Sequence, residues 1–378
     1  EAWHEQMSVE TRKLLPGEGA SRRSGPCSTA AIAIDAHARW LALVRCGKLT
    51  LLRTPRVHSS IGRLEPTEVP EAASARCAAF NAEGDVLLSG GDDKRVCAWE
   101  VPSCVCIRSW EHHKKVACVA FSPDGRLCLW ADRFGEVFAA SLRGADAPLL
   151  KLGHLSPLSH LLFVAAGERL LSVDREGHIR SSCWPMCEVI DTYYLAHTSP
   201  VQVLLPLSIA PLLLSSATSG QQVCVFSLDD GSLLHQQTAA ALLALFRGAS
   251  DNLPPGQDTV RLHAACECAA QGVIALAFDH VRDVLFVRPT TLAEADAGKI
   301  AHAPICAVPS LSIQLDSPAI ALGCTVGGEL CVITASQAVV LPPRDGGGWL
   351  SDANAMVVLS ELAQGDEAGR EEEEDDNE

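Results

Sequence analysis

The feature that most constrains this chain is a drifting internal period. Setting residues 77–96 above 118–137 matches Cys77 with Cys118, Ala79 with Ala120, Phe80 with Phe121, Gly84 with Gly125, Leu88 with Leu129 and Val96 with Val137. That offset is 41 residues, and a further step of 42 lays Asp132-Arg133-Phe134-Gly135 on Asp174-Arg175-Glu176-Gly177, and Val137 on Ile179. A step of 43 then carries Leu170-Leu171-Ser172 onto Leu213-Leu214-Ser215, and Gly177 onto Gly220. Periods of about 40–45 residues belong to propeller blades, small sheets that bury their two faces only by stacking on copies of themselves.

Each unit reads alike. In the clearest one, an apolar run (Ala117–Phe121) meets the turn Ser122-Pro123-Asp124-Gly125, and a second run covers Leu127–Ala131. The hairpin Asp132-Arg133-Phe134-Gly135 leads to a third strand at Glu136–Ala140. The run Leu-Leu-Ser-Gly-Gly-Asp-Asp-Lys-Arg-Val-Cys-Ala-Trp-Glu at 87–100 resembles the closing half of a WD repeat, with Trp99-Glu100 in the place of Trp-Asp. Third strands are expected at Leu49–Arg53, Val96–Glu100, Glu136–Ala140, His178–Ser182, Val223–Leu228, Val284–Val287 and Leu330–Thr334. The expected fold is therefore an all-β, seven-bladed WD-repeat propeller over residues 28–360. A loop insertion falls at 247–258, and Ala30–Ile34 is a candidate for the strand that closes the ring. Residues 1–27 read as a flexible N-terminal segment without the apolar core of a signal peptide.

Charge is uneven. The chain of 378 residues carries a net −16, and residues 366–378 alone hold nine acids and one base. Residues 361–378 are expected to be a disordered acidic tail, because such a segment buries too little surface to offset its ordering entropy. By contrast, residues 101–180 carry ten Lys and Arg against eight acids, so this stretch is +2 and the rest −18. Such an asymmetry within one ring orients a partner on encounter. An acidic body argues against a broad basic face that grips nucleic acid alone.

The 16 cysteines are scattered through apolar runs and include no Cys-x-x-Cys. They read as reduced, buried small hydrophobes rather than a disulfide scaffold. Cys183 and Cys187, with His178 and His197 nearby, are the set with some zinc-like character, weighed against simple burial. The uncharged stretch beginning at Pro200 is interrupted by Pro206 and Pro211, which suits two buried strands better than a membrane span.

Nothing in the sequence looks catalytic: there is no GxSxG, phosphate-cradling GxxxxGK[ST], GxGxxG or HExxH. No cofactor, metal site or catalytic residue is expected. Asp132, His154, Asp174 and His197 fall where a blade needs a hydrogen-bond network between its entry loop and its hairpin. His112-His113-Lys114-Lys115 reads as a solvated loop.

A more specific likeness lies in three runs: Leu152-Gly153-His154-Leu155-Ser156, Leu170 to Arg180, and Leu195-Ala196-His197-Thr198. Together with Ala131-Asp132-Arg133-Phe134-Gly135-Glu136-Val137, they resemble the WD-repeat non-catalytic subunit of the tRNA (guanine-N7-)-methyltransferase. Val173, Glu176-Gly177, Ala196 and the acidic tail depart from that family's pattern. The resemblance implies a scaffold that does no chemistry itself. It would pair as a heterodimer with a separate S-adenosylmethionine-dependent catalytic subunit that methylates N7 of a guanosine in the tRNA variable loop. It also implies a location in the nucleus, with the cytoplasm as a second site, tRNA engaged mainly through the catalytic subunit, no membrane contact, and docking through Arg133, Arg175, Glu176 and Arg180. The other readings weighed are a generic WD-repeat adaptor in a ubiquitin ligase or chromatin complex, and a propeller enzyme with a site in its central channel.

Overall fold

The computed structural model describes residues 30–35, 39–45, 47–53, 67–69, 74–164, 167–218, 222–246, 260–289, 305–315, 317–325, 327–334, 338–341 and 343. The expectations for the N-terminal segment, the loop at 247–258 and the acidic tail lie outside these residues.

Four-stranded antiparallel sheets follow one another along the chain, each built from consecutive strands. Blade 1 comprises Ala30–Ile34, Trp40–Arg45, Lys48–Arg53 and Thr67–Glu68; blade 2 comprises Ala75–Phe80, Val86–Gly91, Arg95–Glu100 and Cys106–Glu111. Blade 3 comprises Val116–Phe121, Leu127–Asp132, Glu136–Ser141 and Leu149–Gly153; blade 4 comprises Leu158–Val164, Arg169–Asp174, Ile179–Cys183 and Ile190–Tyr194. Blade 5 comprises Val201–Pro206, Leu212–Ala217, Gln222–Ser227 and Leu233–Thr238; blade 6 comprises Leu262–Cys268, Val273–Phe278, Asp283–Pro289 and Ile305–Gln314. The last sheet has Ala319–Cys324, Leu330–Thr334 and Ala338–Leu341.

The first strand of each sheet packs against the first strand of the next, which places these strands at the hub. Their sequences show why. Val116–Phe121 is buried at all six positions, whereas the outer strand Cys106–Glu111 alternates between shielded and exposed residues. Continuous apolar runs suit a strand covered on both faces, and alternation suits a rim strand with one wet face.

Packing is between blades. Trp110, Trp130, Val116 and Val119 of blades 2 and 3 share one core with Cys77, Leu88 and Val96. Leu171, Val173 and Ile179 of blade 4 meet Leu204, Leu213 and Phe226 of blade 5. The ring closes where Ile34, Leu41, Leu43 and Leu52 of blade 1 meet Ala321, Cys331 and Ile333 of the last sheet. Each fully buried Leu or Phe in these seams contributes about 1.5–3 kcal/mol.

Three expectations are corrected. Six complete four-stranded blades are present rather than seven, and the remaining sheet has three strands among the described residues. Ala30–Ile34 pairs with Trp40–Arg45 as the hub strand of blade 1, so it closes the ring by packing and not as an added strand of the last sheet. Leu330–Thr334 is the second strand of its sheet, paired with both Ala319–Cys324 and Ala338–Leu341, and not the third. Its Gly-rich approach looks alike before a second or a third strand, and only hub packing tells them apart. Val201–Pro206 and Leu212–Ala217 are buried strands of blade 5, and no helix among the described residues is long and apolar enough to cross a membrane.

Candidate functional site

The site is built from the hairpins that join the second and third strands of blades 3 and 4, with the loops that enter blades 3, 4 and 5. In blade 3, Asp132 Oδ1 accepts the backbone N–H groups of Phe134 (2.8 Å) and Glu136 (3.1 Å). In blade 4, Asp174 Oδ1 accepts those of Glu176 and His178, each at 3.0 Å. The carboxylate takes the place of a further backbone turn, which is why Asp stands at both positions. Gly135 and Gly177 both have φ of +92°. A Cβ at either would lie 2.6 Å from a backbone oxygen of the next entry loop, of His154 or Ser156 in one case and Ser199 in the other. Glycine is needed twice over, for conformation and for space.

The second Asp oxygen faces histidine. Asp132 Oδ2 lies 3.1 Å from His112 Nε2. Asp174 Oδ2 lies 3.0 Å from His178 Nδ1 and 3.5 Å from His154 Nδ1. His154 Nε2 meets Ser172 Oγ at 2.8 Å, and His197 Nε2 meets Ser215 Oγ at 2.7 Å. Burial pushes His154 down to about 4, with the Arg180 charge adding to the effect and Asp174 opposing it. Burial alone takes His197 down to about 4. Both rings are neutral at pH 7, so they act as hydrogen-bonding struts between loop and hairpin and not as charges.

His112 belongs to this set, a correction to the solvated loop expected for His112-His113-Lys114-Lys115. Its side chain is nearly buried against Asp132 and meets the Phe138 ring edge-on, with centroids 4.9 Å apart. The spacing was available: His112 precedes Val116 by the same four positions that separate His154 from Leu158 and His197 from Val201. A neighbouring His113 and two lysines masked it.

The four residues expected to dock a partner are placed differently from one another. Glu176 is exposed and Arg175 half-buried at the tip of the blade 4 hairpin. Arg133 sits on the matching tip of blade 3, with its guanidinium 3.5 Å from Asp92 of blade 2. Arg180 is 8% exposed and its Nη1 donates to the Gly153 carbonyl of blade 3 at 3.1 Å. It therefore bridges two blades through a backbone oxygen rather than through a carboxylate. Leu155 and Leu195, on the loops that enter blades 4 and 5, are both exposed. Cys187 is buried beside the half-buried Cys183. Among the described residues no three His, Cys, Asp or Glu side chains are grouped to hold a metal ion.

A closed ring of small antiparallel sheets, with His–Ser and His–Asp struts between entry loop and hairpin, is a WD-repeat β-propeller. Residues 68–100 and 104–141 match the WD domain, G-beta repeat, and residues 145–310 match the tRNA methyltransferase TRM82 WD40 domain. Over 172 residues the chain is 33% identical to the tRNA (guanine-N(7)-)-methyltransferase non-catalytic subunit wdr4 of Xenopus laevis, which covers 44% of this chain and 42% of that protein. Over 219 residues it is 24% identical to the non-catalytic subunit TRM82 of Kluyveromyces lactis, covering 53% of this chain and 49% of that one. The chain thus spans less than half the length of each of these relatives. A chain in the crystal structure of the mitotic checkpoint complex superposes with a TM-score of 0.61 at 12% identity, over 85% of this chain and 95% of that chain. The Cps50 (Swd1) β-propeller domain of Myceliophteria thermophila gives 0.53 at 12%, over 83% and 94%. These two likenesses show the fold alone. In sequence, the chain resembles the WD-repeat non-catalytic subunit of the tRNA (guanine-N7-)-methyltransferase.

Proposed function

We propose that this chain is the non-catalytic scaffold of a tRNA (guanine-N7-)-methyltransferase, pairing as a heterodimer with an S-adenosylmethionine-dependent catalytic subunit and carrying no cofactor of its own. One observation carries the reading: the family-matched stretch 145–310 contains the blade 4 hairpin, whose strutted base presents Arg175 and Glu176 at its tip. The tip offers charges of both signs, and the exposed Leu155 and Leu195 flank it with apolar surface. A polar rim around apolar anchors is the composition of a protein interface. Arg180, fixed on the Gly153 carbonyl, holds the hairpin's third strand against blade 3 and so sets the orientation of that edge.

The partner supplies the methyl-transfer chemistry and most of the tRNA contact, in the nucleus, with the cytoplasm as a second site. Affinity capture of the tagged chain tests the proposal. A Rossmann-like methyltransferase should co-purify with the wild type and be lost with Glu176→Lys. Its absence from the wild-type eluate would contradict the scaffold reading.

A further inference from the structure

Beside the blade 4 hairpin lies a second charged feature, at the seam of blades 2 and 3. Three cations converge there on one carboxylate. Arg76 Nε donates to Asp92 Oδ2 at 2.8 Å, while Lys115 Nζ and Arg133 Nη2 stand 3.6 and 3.5 Å from Asp92 Oδ1. That oxygen is buried without a hydrogen-bond partner. Lys115 and Arg133 therefore approach it without bonding to it, and their side chains are 46% and 37% exposed. The combined cations hold the Asp92 carboxyl below the usual carboxylate range against the opposing effect of burial. Next to them, Lys114 lies 3.9 Å from the centroid of the Phe134 ring and 3.2 Å from Glu136 Oε2. The cluster holds four cations against Asp92 and Glu136, an excess of two positive charges in a chain of net −16.

Phe134 gives this patch a second character. It sits at the tip of the blade 3 hairpin and is 62% exposed, although Asp132 and Gly135 hold its backbone rigidly. The matching position in blade 4 is Glu176, so the fold does not require an aromatic there. Lys114 lies over one face of the ring and bonds Glu136, while Lys115 and Arg133 make no hydrogen bond to Asp92. A fixed, exposed aromatic ring with two such cations nearby suits unpaired nucleotides, with a base stacked on the exposed part of the ring and phosphates against Lys115 and Arg133. An acidic peptide would use the cations and leave the ring idle.

We infer that Arg76, Lys114, Lys115, Arg133 and Phe134 form a contact site for single-stranded RNA, with phosphates against the cations and a base on Phe134. The inference deepens the tRNA reading above, and rests on it for the choice of RNA over an acidic peptide. It gives the scaffold a direct hold on unpaired nucleotides of the substrate.

The test uses the chain without any catalytic subunit, so its failure is separable from failure of partner capture. Fluorescence anisotropy with a labelled uridine oligomer of about 12 nucleotides measures binding across a salt series. Three neutralised phosphates give a log–log salt slope of roughly −2. Lys115→Ala with Arg133→Gln should weaken binding about tenfold or more and flatten the slope, and Phe134→Ala should weaken it about tenfold with the slope unchanged. Circular dichroism confirms that each variant is folded, and Lys114→Ala, whose side chain pairs with Glu136 and not with Asp92, serves where the double variant is not. No binding by the wild type, or equal binding by wild type and Phe134→Ala, overturns the proposal. So does equally effective displacement by polyglutamate, which would mark the patch as a site for acidic peptide.

Discussion

Blades 3, 4 and 5 solve one problem with different subsets of the same parts. Blade 3 has His112 and Asp132 but Trp130 where its neighbours carry Ser; blade 4 has His154, Ser172 and Asp174; blade 5 has His197 and Ser215 but Ala217 in the Asp position. The registers align these positions, since Val116 faces Asp132, Leu158 faces Asp174 and Val201 faces Ala217. In blade 3 the Trp130 ring stacks on Phe138 and borders His112, filling the space a Ser hydroxyl would leave. In blade 5 the missing carboxylate leaves His197 Nδ1 buried without a partner. The comparison separates two roles. The base of a hairpin is fixed by an Asp and a Gly, and its tip is left free to carry Arg-Phe in one blade and Arg-Glu in the next.

The largest effect should come from breaking the base. Asp174→Ala removes the acceptor for two backbone N–H groups and the partner of His178, and should cost about 3 kcal/mol in denaturant unfolding. Asp132→Ala should cost a similar amount. A loss under about 0.5 kcal/mol for both would show that the hairpins do not depend on their carboxylates.

Acid should act next, through the struts. His154 and His197 titrate near 4 when folded, below the ordinary value of 6.5. Between those limits the unfolded chain binds more protons, so their contribution is fully present above about pH 6.5 and is lost as pH falls towards 4. The loss should approach roughly 3 kcal/mol per histidine. His197→Gln should flatten the stability profile over that window, and an unchanged profile would show that the ring is not buried neutral.

These networks mark how much the sequence disclosed. The period disclosed blades 2 to 5 because their hub strands are apolar runs at a near-constant spacing and the hairpins of blades 3 and 4 need a Gly, and Gly135 and Gly177 do share one backbone geometry. The hairpins of blades 2 and 6 instead place Lys94 and His280 at positive φ. The last sheet was harder, since Leu330–Thr334 follows a Gly-rich turn that looks alike before a second or a third strand. At the site, Asp132 and Asp174 stood out as matched positions, whereas His112 was hidden by its polar neighbours. The burial of Arg180 was not legible, because alternation places it opposite Ile179 without showing that Gly153 of the adjacent blade covers it.

The tips should separate from the bases in a partner assay. The double change Arg175→Glu with Glu176→Lys should weaken capture of the catalytic subunit about tenfold or more while leaving the melting temperature unmoved. Arg180→Glu should instead lower the melting temperature, since it places a carboxylate against the Gly153 carbonyl. If the tip variants unfold and Arg180→Glu does not, the division into base and tip is wrong. The smallest expected effect completes blade 5. Ala217→Asp supplies the carboxylate that His197 Nδ1 lacks and should raise stability by about 1 kcal/mol, with the His197 pKa moving up. A decrease would show that this blade has closed over the space.

The central claim is tested most directly by a reconstituted methylation assay on tRNA, comparing a catalytic methyltransferase subunit of the same source with and without this chain. The account predicts no N7-methylguanosine from the chain alone, little from the catalytic subunit alone, and a large gain when the two are combined. Methylation by the chain alone, or a catalytic subunit equally active without it, would contradict the account.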